Sequence, residues 1–245
     1  MFFLDGKSFM NSKKILIIIP CYNEQGSIEN LLNEIKTQSE DYNVVVIDDG
    51  SKDSTFDIAF NLAPTVRLLK NLGIGGAVQT GIRYAAQNGY EFCVQIDGDG
   101  QHPPAEIKKL KASYDVRPAS ITIGSRYLVK DNFHSTRARR AGSKAISWTL
   151  RKLFNGQTIT DPTSGMRLMD KNAIQLFSKS YPHDFPEPIS LAMALKAGLI
   201  VHETGVSMRS RNDGQSSISG FKPLAYMLRV LGYLILVKVS RSRKS

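Results

Sequence analysis

The sequence predicts an α/β fold: a mostly parallel sheet with helices on both faces, followed by a C-terminal helix that is apolar on most sides. Short runs rich in valine and isoleucine alternate with segments of helical periodicity through residues 14–97, and polar residues follow several of these runs directly. The chain has 245 residues, of which 42% are hydrophobic and 22% charged, which is enough for one large core.

Each strand is predicted from a short apolar run that is rich in β-branched residues and ends in a turn-forming residue. KILIIIP (14–20) begins the sheet, and its terminal proline stops the run. The later strands are NVVVIDDGS (43–51), TVRLLKN (65–71), FCVQID (92–97), ASITIGSRY (119–127) and LIVHETGVSMRSR (199–211), with a short extended run in DPTSGMRLMD (161–170).

The helices are predicted from apolar residues that recur every three or four positions. In GSIENLLNEIKTQ (26–38), Ser27 is the expected N-cap. The remaining predicted helices span residues 51–63, 75–89, 106–114, 137–156, 187–198 and 221–240. No linker-like composition interrupts the chain. We therefore expect one α/β domain over residues 1–220 and a helical appendage with a basic tail over residues 221–245.

The net charge is +10, and much of the excess lies between residues 126 and 152 and in the tail after residue 240. Such clusters suit phosphates, anionic lipid or nucleic acid, and a merely solvated basic face is the alternative. A nucleic-acid partner is not expected, because the sequence holds one tryptophan, no basic stretch interleaved with aromatic residues and no helix-turn-helix signature.

The two cysteines, Cys21 and Cys93, lie in apolar runs and are predicted to be buried free thiols, which fits a reducing compartment. The N terminus shows no secretory signal. The late apolar stretch VLGYLILV (230–237) is about half the roughly 20 residues needed to cross a bilayer.

Polar groups gather where three predicted strands end, in PCYNE (20–24), DDGS (48–51) and DGDGQ (97–101). Ligands of open parallel sheets bind beyond the carboxyl ends of the strands, so these segments are expected to form one site. The Asp-x-Asp turn is flanked by Gly98 and Gly100, and it can present carboxylates to a hard divalent cation that bridges to a diphosphate. An acidic turn without function is the alternative.

Other kinds of site are disfavoured. An EF-hand loop starting at Asp97 would need glycine at its sixth position, where His102 stands, and glutamate at its twelfth, where Lys108 stands. The four histidines are scattered without zinc-ligand spacing, and NLGIGG (71–76) lacks the spacing of a dinucleotide fingerprint.

The order of six motifs gives the sequence a family resemblance. IIIPCYNE, VVVIDDGSKDST, NLGIGGAVQTG, VQIDGDGQHPP, IGSRY and DPTSGMR occur, within residues 14–215, as they do in family 2 glycosyltransferases of the GT-A fold. The sequence most resembles the dolichol-phosphate mannose synthase and polyprenyl-phosphate glucosyltransferase branch. This resemblance implies a Rossmann-like GT-A domain, a UDP-sugar donor and Mg²⁺ or Mn²⁺ as cofactor.

The resemblance also implies which residues bind the donor. The nucleotide's base and ribose are expected to contact Pro20, Tyr22, Glu24, Asp48 and Asp49, with one of the two aspartates reaching the base. Strand termination and packing are the alternative for Pro20 and Tyr22, and helix capping is the alternative for the aspartates.

The metal and the diphosphate are expected at Asp97, Asp99 and Gln101, with Asp99 nearer the metal and assigned to catalysis. The cation would stabilise the charge that develops on the departing diphosphate.

The acceptor side is rich in arginine. A lipid monophosphate is already anionic near neutral pH, so it needs guanidinium groups rather than a general base. By resemblance, the acceptor phosphate is expected to contact Arg126, Arg139, Ser143 and either Arg209 or Arg211, and Arg126 is also assigned to catalysis. Solvent-exposed arginines are the alternative.

Three further residues near this acceptor side have expected roles. Asp161 is expected to organise the wall of the site, and Arg167 to pair with Asp161 or with a phosphate. Glu187 is the candidate catalytic base if the acceptor is a hydroxyl, and a helix N-terminal acid is the alternative.

Together these expectations describe an inverting transferase that moves a hexose onto undecaprenyl phosphate for cell-surface glycan assembly. The expected hexose is glucose, carried as UDP-glucose. Transfer to a saccharide hydroxyl through Glu187 is the alternative, and a non-catalytic nucleotide-binding or nucleic-acid-binding module is a distant one. The C-terminal helix is expected to lie in the interface of an anionic membrane or in a homo-oligomer. The expected location is the cytoplasm, peripherally at the inner face of the cell membrane.

Overall fold

The computed structural model describes residues 15–38, 41–129, 137–154, 158–209 and 222–240, without the side chains of residues 137–139 and 222–225. Seven strands form one sheet in the order β3-β2-β1-β4-β6-β5-β7. They are β1 (Ile15–Cys21), β2 (Tyr42–Asp48), β3 (Thr65–Arg67), β4 (Phe92–Gln95), β5 (Ile121–Ser125), β6 (Arg167–Asp170) and β7 (Val201–Gly205).

Eight α-helices flank the sheet within the described residues. They are α1 (Ile28–Lys36), α2 (Thr55–Leu62), α3 (Gly73–Gln87), α4 (Ile107–Val116), α5 (Arg137–Leu153), α6 (Lys171–Lys179), α7 (Pro186–Lys196) and α8 (Lys222–Val239). In that part of the chain, no helix combines the length and apolar character that a bilayer crossing requires.

The predicted α/β class is confirmed, because the described sheet is mostly parallel. β1 pairs in parallel with both β2 and β4, while β6 runs antiparallel between β4 and β5. The carboxyl ends of β1, β2 and β4 therefore meet at one edge of the sheet, where the three polar segments of the sequence begin.

Helices on both faces follow from the alternation of side chains along β1. Leu16 and Ile18 point into a core that includes residues of α3, α5, α6, α7 and α8. Ile15, Ile17 and Ile19 point into a second core that includes residues of α1, α2 and α4. Each face of the strand is covered by apolar side chains, so the run reads as continuously apolar in the sequence.

Three local predictions differ from the structure. The helix α6 was not predicted, although its N-cap Asp170 accepts a hydrogen bond from the backbone N–H of Ala173 at 2.9 Å. The strands β3 and β7 are shorter than the predicted 65–71 and 199–211. Ser27 does precede α1, but its hydroxyl makes no cap hydrogen bond and donates instead to the carbonyl of Gly98 at 2.8 Å.

The C-terminal helix α8 packs on the same core as the sheet. Val230 and Leu234 are fully buried in that core. The ring of Tyr226 meets Phe185 edge-on at 4.7 Å, and Lys196 of α7 donates to the carbonyl of Val237 at 2.6 Å. One side of α8 is thus fixed to the body of the protein.

Candidate active site

A cavity of about 290 Å³ opens at the carboxyl ends of β1, β2 and β4. It is lined by Pro20, Cys21, Tyr22, Glu24, Asp49, Asn71, Gly73, Ile74, Ala77, Asp97, Gly98 and Asp99. A larger hollow of about 840 Å³ lies against α4 and β7 and includes none of these residues. We place the site at the smaller cavity, because polar groups from three strand ends converge there, as expected for an open α/β sheet.

The Asp-x-Asp turn forms one side of this cavity. Asp99 Oδ1 accepts a hydrogen bond from the backbone N–H of Gln101 at 3.0 Å, and Gly100 adopts a positive φ of 73° that closes the turn. Asp97 Oδ1 accepts from Gln95 Nε2 at 3.3 Å. These contacts fix the turn and leave the Asp97 carboxylate 37% exposed toward the cavity.

The turn is supported from below by close contacts that tolerate little added bulk. A Cβ at Gly98 would lie 2.5 Å from the Sγ of Cys21, and a Cβ at Gly165 would lie 3.0 Å from both Asp97 carboxylate oxygens. The buried ring of His102 lies beneath, with Nδ1 3.5 Å from Asp97 Oδ2. Small residues are therefore required around this carboxylate.

The two neighbouring aspartates after β2 have different surroundings. Asp49 lines the cavity, and its Oδ1 accepts from the backbone N–H of Leu72 at 2.7 Å, at the start of α3. Burial raises the pKa of Asp49 despite these backbone hydrogen bonds.

Asp48 is fully buried and does not line the cavity. Its Oδ1 accepts from the backbone N–H of Ser51 at 3.2 Å, and its Oδ2 lies 3.3 Å from Arg67 Nε without hydrogen-bond geometry. Of the two aspartates expected near the nucleotide, Asp49 lines the cavity and Asp48 does not.

Hydrogen bonds join the loop after β1 to the turn after β2. The backbone N–H of Asn23 donates to Ser51 Oγ at 3.0 Å, and that of Glu24 to Thr55 Oγ1 at 2.7 Å. Asn23 holds a left-handed φ of 57°, and its side chain accepts from the N–H of Lys52 at 2.9 Å. This pairing positions Tyr22, exposed at the cavity, and Glu24.

An arginine–aspartate pair forms the wall beyond β5. Arg126 Nε donates to Asp161 Oδ2 at 2.7 Å, and Arg126 Nη2 donates to Asp161 Oδ1 at 2.6 Å and to Thr163 Oγ1 at 2.9 Å. Burial pulls the pKa of Arg126 down, but the hydrogen bonds and charge of Asp161 outweigh it, and the net shift is upward. The guanidinium is thus firmly charged and held in one orientation.

Glu203 of β7 holds the turn that carries Asp161. Its two carboxylate oxygens accept from the backbone N–H groups of Thr160 at 2.6 Å and of Asp161 at 2.7 Å. Burial nonetheless raises the pKa of Glu203. Sequence reasoning did not identify this residue, because nothing near position 203 indicates that β7 adjoins the turn at 160.

Arg167 differs from its expected role. The side chain is buried and donates to the backbone carbonyls of Pro162, Ser164 and Glu187 and to Ser190 Oγ. It makes no hydrogen bond to the Asp161 carboxylate, and it is too deeply buried to contact a phosphate from solvent. Instead it joins the 161–165 turn to the start of α7.

Glu187 lies in the first turn of α7, next to this arginine. Burial raises the pKa of Glu187; the charge of Arg167 opposes the shift and that of Asp97 adds to it. A carboxyl group with a raised pKa near a candidate site has the property expected of a general base.

The remaining acceptor-side residues are only partly brought together. Ser143 of α5 is buried and its hydroxyl donates to the carbonyl of Thr160 at 3.3 Å, which ties α5 to the wall. Arg139 lies one helical turn earlier, with its side chain outside the described part, and Arg211 lies outside the described residues altogether. Arg209 makes a bidentate pair with Glu34 of α1 at 2.7 and 2.8 Å, and its backbone N–H donates to the carbonyl of Gln101 at 3.0 Å.

The site residues fit a divalent cation that shares its coordination with a ligand. Asp97 and Asp99 supply hard carboxylate oxygens, which suit Mg²⁺ or Mn²⁺. Among the described residues, no three His, Cys, Asp or Glu side chains are grouped to hold an ion alone. The remaining coordination positions would fall to water and to a bound phosphorylated ligand.

The family model described as Glycosyl transferase family 2 matches residues 16–177. A UDP-N-acetylglucosamine–dolichyl-phosphate N-acetylglucosaminyltransferase of Methanococcus voltae is 29% identical, over 91% of this chain and 97% of that protein. An undecaprenyl-phosphate mannosyltransferase of Micrococcus luteus is 31% identical, over 84% of this chain and 88% of that protein.

The fold also matches solved structures. Glucosyl-3-phosphoglycerate synthase from Mycobacterium tuberculosis, in complex with Mn²⁺, UDP and glucosyl-3-phosphoglycerate, aligns with a TM-score of 0.66 at 17% identity. The alignment covers 94% of this chain and 82% of that one. At this identity the likeness shows a shared fold.

Proposed function

The chain belongs to glycosyltransferase family 2, and from this membership we propose that it is an inverting hexosyltransferase that moves a sugar from a UDP-sugar to a polyprenyl phosphate. The observation that carries the proposal is the cavity at the strand ends, which is lined by Asp97, Asp99, Asp49 and Tyr22 together. The two relatives are named as transferases to dolichyl phosphate and undecaprenyl phosphate, which supports the lipid acceptor.

The donor is proposed to lie along the cavity. Tyr22, Glu24 and Pro20 would contact the ribose and base, with Asp49 accepting a hydrogen bond from the base. Asp97, Asp99 and Gln101 would hold Mg²⁺ or Mn²⁺ against the diphosphate. When bound, the cation would stabilise the charge on the departing diphosphate.

The acceptor phosphate is proposed to bind at the Arg126 wall. Asp161 fixes the Arg126 guanidinium through two short hydrogen bonds, so no reorganisation is needed when an anion arrives. Ser143 and Arg139 of α5 would complete this side. Because Glu34 engages Arg209, we propose that Arg211 is the arginine of the 209–211 segment that contacts the phosphate.

The proposed sugar is glucose, carried as UDP-glucose, and the acceptor is undecaprenyl phosphate at the inner face of the cell membrane. Residues 1–220 would form the transferase domain, and residues 221–245 a membrane-interface or oligomerisation segment. The two relatives are named as an N-acetylglucosaminyltransferase and a mannosyltransferase, so nucleotide donors of these two sugars are the alternatives to test.

A screen of sugar nucleotides tests this proposal. Radiolabelled UDP-glucose, UDP-N-acetylglucosamine and GDP-mannose would be offered with a short polyprenyl phosphate, with Mg²⁺ or Mn²⁺ and with EDTA. We expect label in the organic phase from UDP-glucose, lost with EDTA and lost in Asp99→Asn. If the folded protein gave no lipid-soluble label with any of the donors, that result would contradict the lipid acceptor.

A second function is favoured by Glu187, whose raised pKa suits a general base for a saccharide hydroxyl. Glu187→Gln should nearly abolish such a reaction, whereas transfer to a lipid phosphate should largely survive it. Measuring both acceptors with this variant separates the two functions.

A further inference from the structure

One carboxylate, that of Glu203, holds two consecutive backbone N–H groups where the chain enters the Arg126 wall. It accepts from Thr160 at 2.6 Å and from Asp161 at 2.7 Å. Distances this short are typical of charge-assisted hydrogen bonds, which are stronger than those between neutral groups. The position of the Asp161 backbone is therefore set by a side chain of β7.

Glu203 and Arg126 stand on neighbouring strands of the sheet. β7 pairs in parallel with β5, Glu203 lies opposite Ile123, and Arg126 follows the last residue of β5. Asp161 contacts both Glu203 and Arg126 but lies in a turn outside the sheet. A turn lacks the ladder of hydrogen bonds that fixes a strand, so its position depends on the side chains that bind its backbone.

The other contacts to this turn do not replace Glu203. The carbonyl of Thr160 accepts from Ser143 Oγ at 3.3 Å, and the Thr160 hydroxyl lies 3.0 Å from Ser125 Oγ. Both contacts join neutral groups and are longer than those of Glu203, and neither engages the N–H of Asp161. Loss of the carboxylate would leave two adjacent backbone donors without their acceptor, so we expect the turn to move.

The fold keeps a negative charge here although the surroundings disfavour it. Burial raises the pKa of Glu203, the backbone hydrogen bonds oppose that shift, and the charge of Asp161 adds to it. An amide side chain would avoid the charge, but it has a single acceptor oxygen, and its NH2 group would face the second backbone N–H. The two adjacent donors are therefore best served by a carboxylate.

We propose that Glu203 is a positioning residue for the acceptor: acting through the 160–161 turn and Asp161, it sets the orientation in which the Arg126 guanidinium meets the acceptor phosphate. Arg126 takes that orientation from Asp161, to which its Nε and Nη2 donate at 2.7 and 2.6 Å. A shift of Asp161 would displace the guanidinium, and small displacements of a binding group have large effects. The consequence for the acceptor rests on the proposed function, whereas the effect on Arg126 does not.

Kinetics with Glu203→Gln test the proposal. The variant keeps the size of the side chain and removes one of its two acceptor oxygens. Glu203 is not among the residues that line the cavity assigned to the donor. We therefore expect the KM for a short isoprenyl phosphate to rise about tenfold or more, while the KM for the sugar nucleotide and the affinity for UDP stay within about twofold of the parent.

A double variant separates positioning from a general loss of stability. If Glu203 acts through Asp161, adding Glu203→Gln to Asp161→Asn should raise the acceptor KM little beyond its value in Asp161→Asn alone. The matched controls are Glu29→Gln, which removes one negative charge from an exposed position on α1, and His202→Gln, on the opposite face of β7. Both controls should behave as the parent does.

The Nε–H resonance of Arg126 gives a readout that needs no acceptor. It would be followed by NMR of the full chain labelled at its arginine nitrogens, and assigned by its loss in Arg126→Lys. We expect the resonance to move in Glu203→Gln and to stay in place in both controls. If Glu203→Gln does not fold, Glu203→Asp, which withdraws the carboxylate from the turn, takes its place with the same expectations.

Three results would overturn the proposal. One is an Arg126 resonance that stays unchanged in Glu203→Gln. Another is an equal rise of the KM values for donor and acceptor, which would indicate a general structural role. The third is additivity of the substitutions at Glu203 and Asp161. A parent protein that transfers no sugar to any isoprenyl phosphate would contradict the proposed function alone, because the Arg126 resonance would still test the link from Glu203.

Discussion

Gly165 shows how a single hydrogen atom can matter at the candidate site. The residue stands in the DPTSGMR segment, and its α-carbon faces the Asp97 carboxylate. A methyl group there would lie 3.0 Å from both carboxylate oxygens, closer than ordinary packing allows. The DPTSGMR motif is therefore connected to the Asp-x-Asp motif by steric contact, which the sequence alone does not reveal.

Gly165→Ala should lower transferase activity about 100-fold while changing the melting temperature little. The Asp97 side chain is partly exposed, so it can swing away from the new methyl group without disturbing the core, but its carboxylate is then misplaced. Activity with titrated Mn²⁺ and thermal unfolding would be measured together. Gly26→Ala, which meets no atom within 4 Å, serves as the control. Activity equal to that of the parent would refute the steric role.

Glu187 provides a prediction about pH and stability. Its pKa is raised in the folded protein, mainly by burial. The protonated form of such a carboxyl group is favoured in the folded protein. Its contribution to the free energy of unfolding is therefore largest below the unfolded pKa of about 4.3, and it is lost as the pH rises through the higher folded pKa. Glu187→Gln removes that loss, so the melting temperature of the variant relative to the parent should rise as the pH is raised above about 4.3.

The measurement is thermal unfolding of both proteins across that pH range. Glu29→Gln, at an exposed position in the first turn of α1, is the matched control and should show no comparable trend. A difference between Glu187→Gln and the parent that stays constant with pH would show that this carboxyl is not perturbed as described.

At the scale of elements, the ends of β1 and β4 are packed without spare room. Gly98, after β4, lies against Cys21 at the end of β1: an added Cβ would lie 2.5 Å from Cys21 Sγ and 3.2 Å from the carbonyl of Pro20. Burial also raises the pKa of the Cys21 thiol, so it stays neutral and acts as a packing group. The distance between these two strand ends sets the floor of the cavity.

Gly98→Ala should destabilise the protein by about 1–3 kcal/mol through overpacking. Adding Cys21→Ala removes the sulfur and should restore part of the loss, so the two substitutions should couple favourably. Urea unfolding of the two single variants, the double variant and the parent measures this coupling. Purely additive effects would mean that Cys21 is not what limits the space at position 98.

At the scale of the whole molecule, one side of α8 packs in the same core as the sheet. Leu234 is fully buried with α7 and the sheet, whereas Leu236, two residues later, is 59% exposed. The same helix therefore serves the core on one side and presents apolar groups on the other.

Leu234→Ala should cost about 2–5 kcal/mol, and Leu236→Ala should stay within about 0.5 kcal/mol of the parent. Chemical unfolding followed by circular dichroism would measure both. A single transition that moves only with Leu234→Ala would show that α8 unfolds with the rest of the core. Equal effects of the two substitutions, or a separate transition for α8, would contradict this packing.

The sequence by itself determined the class of the fold and the location of the cavity. Buried parallel strands require continuous apolar runs, and their carboxyl ends share an edge, so the polar segments after β1, β2 and β4 had to meet. The helix α6 could also have been found from Asp170 and the apolar residues that follow, since cap and periodicity are local signals.

Only the tertiary structure decided which charged groups meet. Asp48 and Asp49 are adjacent in sequence, yet one faces Arg67 and the other the cavity. Arg126 is paired with Asp161, Arg167 with backbone carbonyls and Arg209 with Glu34, across gaps of up to 175 residues. Strand order and the antiparallel direction of β6 set these pairings. Local periodicity predicts neither, because partners distant along the chain are brought together only by the packing of the whole sheet.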